Sequence, residues 1–88
     1  MSSITIYTKP TCPYCVAAKS LLEEKGARYT EVRVNDNPAL AKAVREQTGR
    51  HTVPQIFIGE YHVGGYDDLR ALDDDGGLVV MLAGLKDN

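Results

Sequence analysis

The chain lacks any run of residues long and apolar enough to cross a bilayer. Its longest uncharged stretch, Gly76 to Leu85, covers about half a span, and Met1 to Lys9 has neither the charged start nor the apolar centre of a secretory leader. An excess of one charge is also missing. Ten Lys and Arg against twelve Asp and Glu leave a net charge of -2, too little to draw the chain to nucleic acid or to an anionic membrane. Repeats and low-complexity tracts are absent, and 88 residues exclude a multidomain machine, so one domain spanning 1–88 is expected. Cysteine is scarce: only Cys12 and Cys15 occur, so the fold rests on an ordinary core drawn from 43% apolar residues rather than on a disulfide framework. A soluble cytoplasmic protein is the expectation. What charge there is lies unevenly, with residues 60–88 carrying seven acids against Arg70 and Lys86.

Ile4 to Thr8 is β-branched or aromatic at every position, which predicts a strand closed by Lys9-Pro10-Thr11. From Pro13 onward Cys15, Ala18, Leu21 and Leu22 recur at helical spacing as far as Gly26, with Lys19 and Glu23 one turn apart for pairing. Thr30, Val32 and Val34 alternate with Glu31 and Arg33, the pattern of an edge strand with one face packed. Asn37-Pro38 opens a second helix, with Asn37 as N-cap, Leu40, Ala43 and Val44 as the apolar stripe and Gly49 as the end. Gln55 to Ile58 reads as a buried strand, Gly59-Glu60 as a turn and Tyr61 to Val63 as the antiparallel partner. Gly64-Gly65 introduces a third helix with Tyr66, Leu69 and Leu72 inward and Asp67 and Asp68 at its positive end. Asp73-Asp74-Asp75 is expected as a solvated loop before a last stripe of Leu78, Met81, Leu82 and Leu85, and His62 as a packing or surface residue. Early strands joined by a crossover helix and a late hairpin predict an α/β thioredoxin-like sandwich, a four-stranded mixed sheet flanked by helices.

Two cysteines placed at random fall three residues apart in only about 2% of arrangements, so Cys12-Pro13-Tyr14-Cys15 points to a joint task. Cys12 stands where a loop becomes a helix. There its sulfur faces the unpaired N–H groups of the first turn, which stabilise a thiolate, the nucleophile of disulfide exchange, and Lys9 adds positive charge. Cys15, one turn further on the same face, is placed to attack a mixed disulfide formed on Cys12. A zinc site is disfavoured, because it needs four ligands and only His51 and His62 remain, separated by a strand and a turn. Inert packing is disfavoured by the polar helix start.

Three blocks, Thr8 to Cys15, Gly49 to Ile58 and Gly64 to Leu69, resemble in order and separation the signature segments of the small dithiol glutaredoxins, closest to the bacterial glutaredoxin three type. The resemblance covers nearly the whole chain. It implies a glutathione-dependent thiol–disulfide oxidoreductase that reduces protein disulfides and glutathione mixed disulfides, in electron transfer and cell redox homeostasis. Cys12 and Cys15 would be catalytic. Pro54 would be a cis-proline facing them, and Val53, after Thr52, would offer its backbone to the glutathione cysteinyl moiety like an added strand. Gly65, Tyr66 and Asp67 would take the γ-glutamyl end, with the helix start on the α-carboxylate and Asp67 on the α-amine. Tyr14 would flank the tripeptide and Lys9 would attract its glycyl carboxylate. Glutathione then serves as reducing co-substrate to a monomer whose other partners are glutathionylated or disulfide-containing proteins, with no metal or tightly bound cofactor.

Two departures from the family pattern stand out. Ala41 occupies a position where relatives often carry Gln or Arg, so Lys42 or Arg45 is left to meet the glycyl carboxylate; and Tyr66 replaces a third cysteine found in some relatives. His51, just before the cis-proline loop, is open between a place near the thiolate and a solvent-facing one. Two rival functions are a thioredoxin-reductase-dependent electron donor, opposed by Lys9, Thr52, Val53 and Gly65 to Asp67, and a carrier of an iron–sulfur cluster between two chains, opposed by Pro13.

Overall fold

The computed structural model describes residues 4–50 and 52–86, with the side chains of Leu85 and Lys86 outside that description; His51 therefore also lies outside the described residues. Its elements run β1 (Ile4–Thr8), α1 (Pro13–Glu24), β2 (Tyr29–Arg33), a 3₁₀ turn (Val34–Asp36), α2 (Pro38–Thr48), β3 (Gln55–Ile58), β4 (Tyr61–Gly64), α3 (Tyr66–Asp74) and α4 (Gly77–Lys86). The sheet order is β2-β1-β3-β4, with β1 parallel to β2 and antiparallel to β3, and β3 antiparallel to β4. This is the thioredoxin-like mixed sheet expected from the element order.

Why the chain folds this way is visible residue by residue. Alternation in β1 sends Ile4, Ile6 and Thr8 to one face, where Ile4 and Ile6 join Ala18, Leu21 and Leu22 of α1, Ile56 and Ile58 of β3, Leu69 of α3 and Leu78 and Leu82 of α4. Each fully buried Leu or Ile contributes roughly 1.5–3 kcal/mol relative to exposure, so this face carries most of the cohesion. The opposite face bears an aromatic row, Tyr7 edge-on to Phe57 at 5.8 Å and Phe57 stacked on His62 at 4.9 Å. His62 is thus a packing residue, as expected. Asn37 Oδ1 accepts the Leu40 N–H at 3.1 Å and caps α2, which ends where Gly49 turns left-handed at φ 70°.

Four expectations need correction. Lys19 pairs with Glu31 at 3.1 Å rather than with Glu23, whose carboxylate instead accepts the Tyr29 hydroxyl. In β2 the inward set is different: Thr30 is exposed, Tyr29 packs against the core and Glu31 is half-buried, while Val34 is buried in the turn beyond the strand. The Glu31 carboxylate is tolerated there because the buried Thr8 hydroxyl donates to it at 2.7 Å and Lys19 neutralises it. On α2 Ala43 faces solvent and Val44 alone is buried, because this helix packs chiefly against the 3₁₀ turn rather than across the sheet. Asp73 and Asp74 belong to α3 rather than to a loop; Asp73 is bound to Lys25 at 2.9 Å, and only Asp75 caps the next element, accepting the Gly77 N–H at 2.8 Å.

Candidate active site

Three chain segments meet at one end of the sheet. The first leaves β1 and turns sharply at Thr11, whose φ of 57° puts a β-branched residue in the left-handed region. Such a conformation costs about 1–2 kcal/mol, and here it delivers Cys12 to the N-cap of α1. Pro13 follows at the first helical position, where its missing N–H forfeits no helical bond. Cys12 Sγ accepts the Cys15 N–H at 3.2 Å, so one orphan donor of the helix start lies on the sulfur.

The two thiols differ in setting. Cys12 is half-buried and Cys15 is buried, 2% exposed. Burial pushes the Cys15 thiol up to about 11, helped by its hydrogen bond with Cys12 and by the charge there. A backbone N–H at Lys9 and the ammonium of Lys19 pull it back down in part. Cys12 is accordingly the more accessible of the two thiols and Cys15 the guarded one.

The second segment is the loop into β3. Its Val53–Pro54 bond is cis, and the Val53 carbonyl lies 3.8 Å from Cys12 Sγ, close enough to accept from the thiol form. Gln55, buried at 1% exposure within an otherwise apolar strand, holds this loop in shape. Its Nε2 donates to the Thr52 carbonyl at 2.9 Å and its Oε1 lies 2.7 Å from His62 Nε2. The third segment is the start of α3, where the Tyr66 ring stands 6.2 Å from that of Tyr14.

Between these walls runs a cleft of about 300 Å³ lined by Tyr14, Arg50, Thr52, Val53, Pro54, Gly65, Tyr66, Asp67 and Asp68. Seven of the eight residues that the family resemblance implies for glutathione binding line it. The eighth, Lys9, borders an adjoining recess together with Ala41, Arg45, Arg50, Thr52 and Val53. Arg45, not Lys42, is therefore the α2 cation on that side. Asp67 is exposed, and no described residue pairs with its carboxylate.

Arg50 and Asp68 were not singled out by the motifs. Arg50 Nη1 lies 2.8 Å from Asp68 Oδ2, and the same oxygen accepts the Gly65 N–H at 2.9 Å. The guanidinium, and then the N–H, hold the Asp68 carboxyl below its usual range. The one local signal was an acid at the third helical position, the reach-back half of a capping box. Among the described residues no group of three or more His, Cys, Asp or Glu converges to hold a metal ion, and no helix is long and apolar enough to cross a membrane.

A dithiol at a helix start beside a cis-proline loop, at one end of a thioredoxin-like sheet, defines the class of thiol–disulfide oxidoreductases. The glutaredoxin family model matches residues 4–63. Glutaredoxin 3 of Escherichia coli K12 is 50% identical over 82 residues, 93% of this chain and 99% of the relative, and a glutaredoxin of Pseudomonas aeruginosa is 46% identical over 83 residues, 94% and 99%. Among solved structures, a crystal structure of a buckwheat glutaredoxin–glutathione complex superposes with TM-score 0.88 at 36% identity, covering 94% of this chain and 78% of that one. The solution structure of glutaredoxin from Brucella melitensis gives 0.83 at 51% identity, covering 93% and 89%. The chain belongs to the glutaredoxin family, as a bacterial glutaredoxin, and glutathione-dependent thiol–disulfide oxidoreduction is the activity of that family.

Proposed function

We propose that this chain, as one monomeric domain over residues 1–88, reduces protein disulfides and glutathione mixed disulfides, with reduced glutathione as its electron source. The observation that carries the reading is the asymmetry of the dithiol. Cys12 Sγ takes the helix-start N–H and lies 3.8 Å from the carbonyl of Val53, a residue that lines the cleft, and Cys15 is buried one turn on with its thiol pushed up to about 11.

In the first step the Cys12 thiolate attacks one sulfur of the substrate disulfide, a new S–S bond forms and the other sulfur leaves as a thiolate. With a glutathione mixed disulfide, the client thiol is released and glutathione stays on Cys12. A second glutathione thiolate then attacks the glutathione sulfur, freeing Cys12 and forming glutathione disulfide. With a protein disulfide, Cys15 loses its proton and attacks Cys12 Sγ, expelling the second client thiolate and leaving a Cys12–Cys15 disulfide that two glutathiones reduce in turn.

The cleft supports glutathione as the ligand. The Val53 backbone offers strand-like pairing beside the sulfur, and Tyr14 and Tyr66 flank the bound tripeptide. The start of α3 receives the α-carboxylate on the N–H groups beyond Gly65, whose own N–H is held by Asp68, and the unpaired Asp67 receives the α-amine, while Lys9 and Arg45 supply positive charge for the glycyl carboxylate where Ala41 supplies none. A dithiol recharged by reduced glutathione works in a reducing compartment, so the setting is cytoplasmic, in electron transfer and redox homeostasis. The test is the pair of serine variants. Cys12→Ser abolishes both reactions, whereas Cys15→Ser keeps deglutathionylation and loses protein-disulfide reduction; a Cys15→Ser protein that reduces a protein disulfide at the wild-type rate refutes the resolving role.

A further inference from the structure

Arg50 and Asp68 have no part in the chemistry above, yet their ion pair joins the two walls of the cleft. Arg50 comes from the loop that leads to the cis-proline, and Asp68 from the first turn of α3. Because Asp68 Oδ2 already takes the Gly65 N–H at 2.9 Å, that donor is closed to a ligand, and a carboxylate stands at the helix start before any ligand arrives. A ligand carboxylate approaching the remaining N–H groups meets this negative charge. The Arg50 guanidinium, at 2.8 Å, cancels it.

The surrounding backbone is built to admit the pair. Gly64 has φ 118°, and a Cβ there would fall on the Asp68 carboxylate; at Gly65 a Cβ would come within 3.4 Å of the Pro54 carbonyl oxygen, so the walls are already near contact. The pair thus sits where a small displacement of α3 would change the width of the cleft.

We propose that Arg50 is a positioning residue for the γ-glutamyl end of glutathione, acting through Asp68. It ties the start of α3 to the cis-proline loop and neutralises the carboxylate that would otherwise oppose the ligand's own. This inference rests on the glutathione reading of the cleft. Arg50 also borders the recess with Lys9 and Arg45, so direct contact with a ligand is the competing role the experiment must separate.

The experiment compares kcat/KM on one peptide carrying, in mixed disulfide, either glutathione or cysteinylglycine, which lacks the γ-glutamyl group. Wild type prefers the glutathione form. Arg50→Gln lowers that preference about ten-fold, through KM rather than kcat, and Arg50→Lys restores most of it. In an Asp68→Asn background the same Arg50→Gln change lowers the preference less than two-fold, because the charge to be cancelled is gone. NMR titration of the ligand-free protein gives an independent readout: the Asp68 carboxyl titrates at higher pH in Arg50→Gln. An undiminished preference in Arg50→Gln, an unmoved Asp68 titration, or a full ten-fold loss repeated in the Asp68→Asn background overturns the inference. A wild type with no preference overturns the glutathione reading itself.

Discussion

Replacing Cys12 by serine should make Cys15 more reactive, not less. In the reduced protein burial, a hydrogen bond with Cys12 and the charge on Cys12 all raise the Cys15 thiol, to about 11. At pH 8 that leaves a thiolate fraction of about one in a thousand, three decades below the titration point. Cys12→Ser removes the charge and weakens the hydrogen bond while burial stays, so the Cys15 titration moves down. Each unit of that movement raises the thiolate fraction about ten-fold and lowers intrinsic nucleophilicity about three-fold, a net gain of about three-fold in rate. Alkylation by iodoacetamide at pH 8, quenched at intervals and assigned by mass spectrometry, measures it. The Cys12→Ser protein should modify Cys15 about 3- to 10-fold faster than the reduced wild type does, and in the wild type Cys15 should keep accelerating beyond pH 10. An equal or slower Cys15 rate in Cys12→Ser refutes the reasoning. In the proposed mechanism the same relief would act on Cys15: once Cys12 is held in a mixed disulfide its charge is gone, and the Cys15 thiol becomes more nucleophilic at the step that needs it.

Gly64→Ala should cost about 2–3 kcal/mol in urea unfolding, combining backbone strain at φ 118° with displacement of the Asp68 cap, whereas Gly26→Ala, at φ 71° with no atom within 4 Å of the added carbon, should cost about 1 kcal/mol. Equal costs at the two positions would show that the Asp68 contact is unimportant. Glu31 is held below its ordinary value by the Thr8 hydroxyl and then by Lys19, and a carboxyl lowered on folding stabilises the protein above its unfolded value of about 4.3 and loses that contribution as pH falls through the folded value. The urea midpoint should therefore drop between pH 5 and pH 2, and the drop should be smaller in Glu31→Gln; an identical acid loss in the variant would remove Glu31 from the account.

Where a local signal sufficed, the fold was legible. Asn37-Pro38 and Gly49 bound α2 through capping chemistry that needs no distant partner, and the β-branched run of Ile4 to Thr8 forms β1 as expected. The period-2 pattern of β2 was less informative. It identified an edge strand but not which side chains turn inward, since Glu31 becomes acceptable toward the core only through Thr8 and Lys19, which lie 23 and 12 residues away. Gln55 was hidden in the same way, inside a run that reads as apolar, because its value lies in holding Thr52 and His62 once the hairpin has closed.

The candidate site was more legible than the packing around it, and the reason is physical. Each wall is a short backbone device with its own sequence signature: a cysteine-proline helix start, a proline opening a strand, a glycine pair before an acidic helix turn. Sheet order then brings the three together, since β1 and β3 are neighbours and α3 follows β4 directly. Arg50 and Asp68 fall outside this logic. Arg50 has no signature, Asp68 only that of an acid in the first helical turn, and their pairing arises only when the loop and the helix, 18 residues apart, meet on one carboxylate oxygen. On the glutathione reading, motifs of this kind mark the atoms that would touch the ligand, because those need special backbone, whereas charges that would let it approach need only a place, which the folded chain provides.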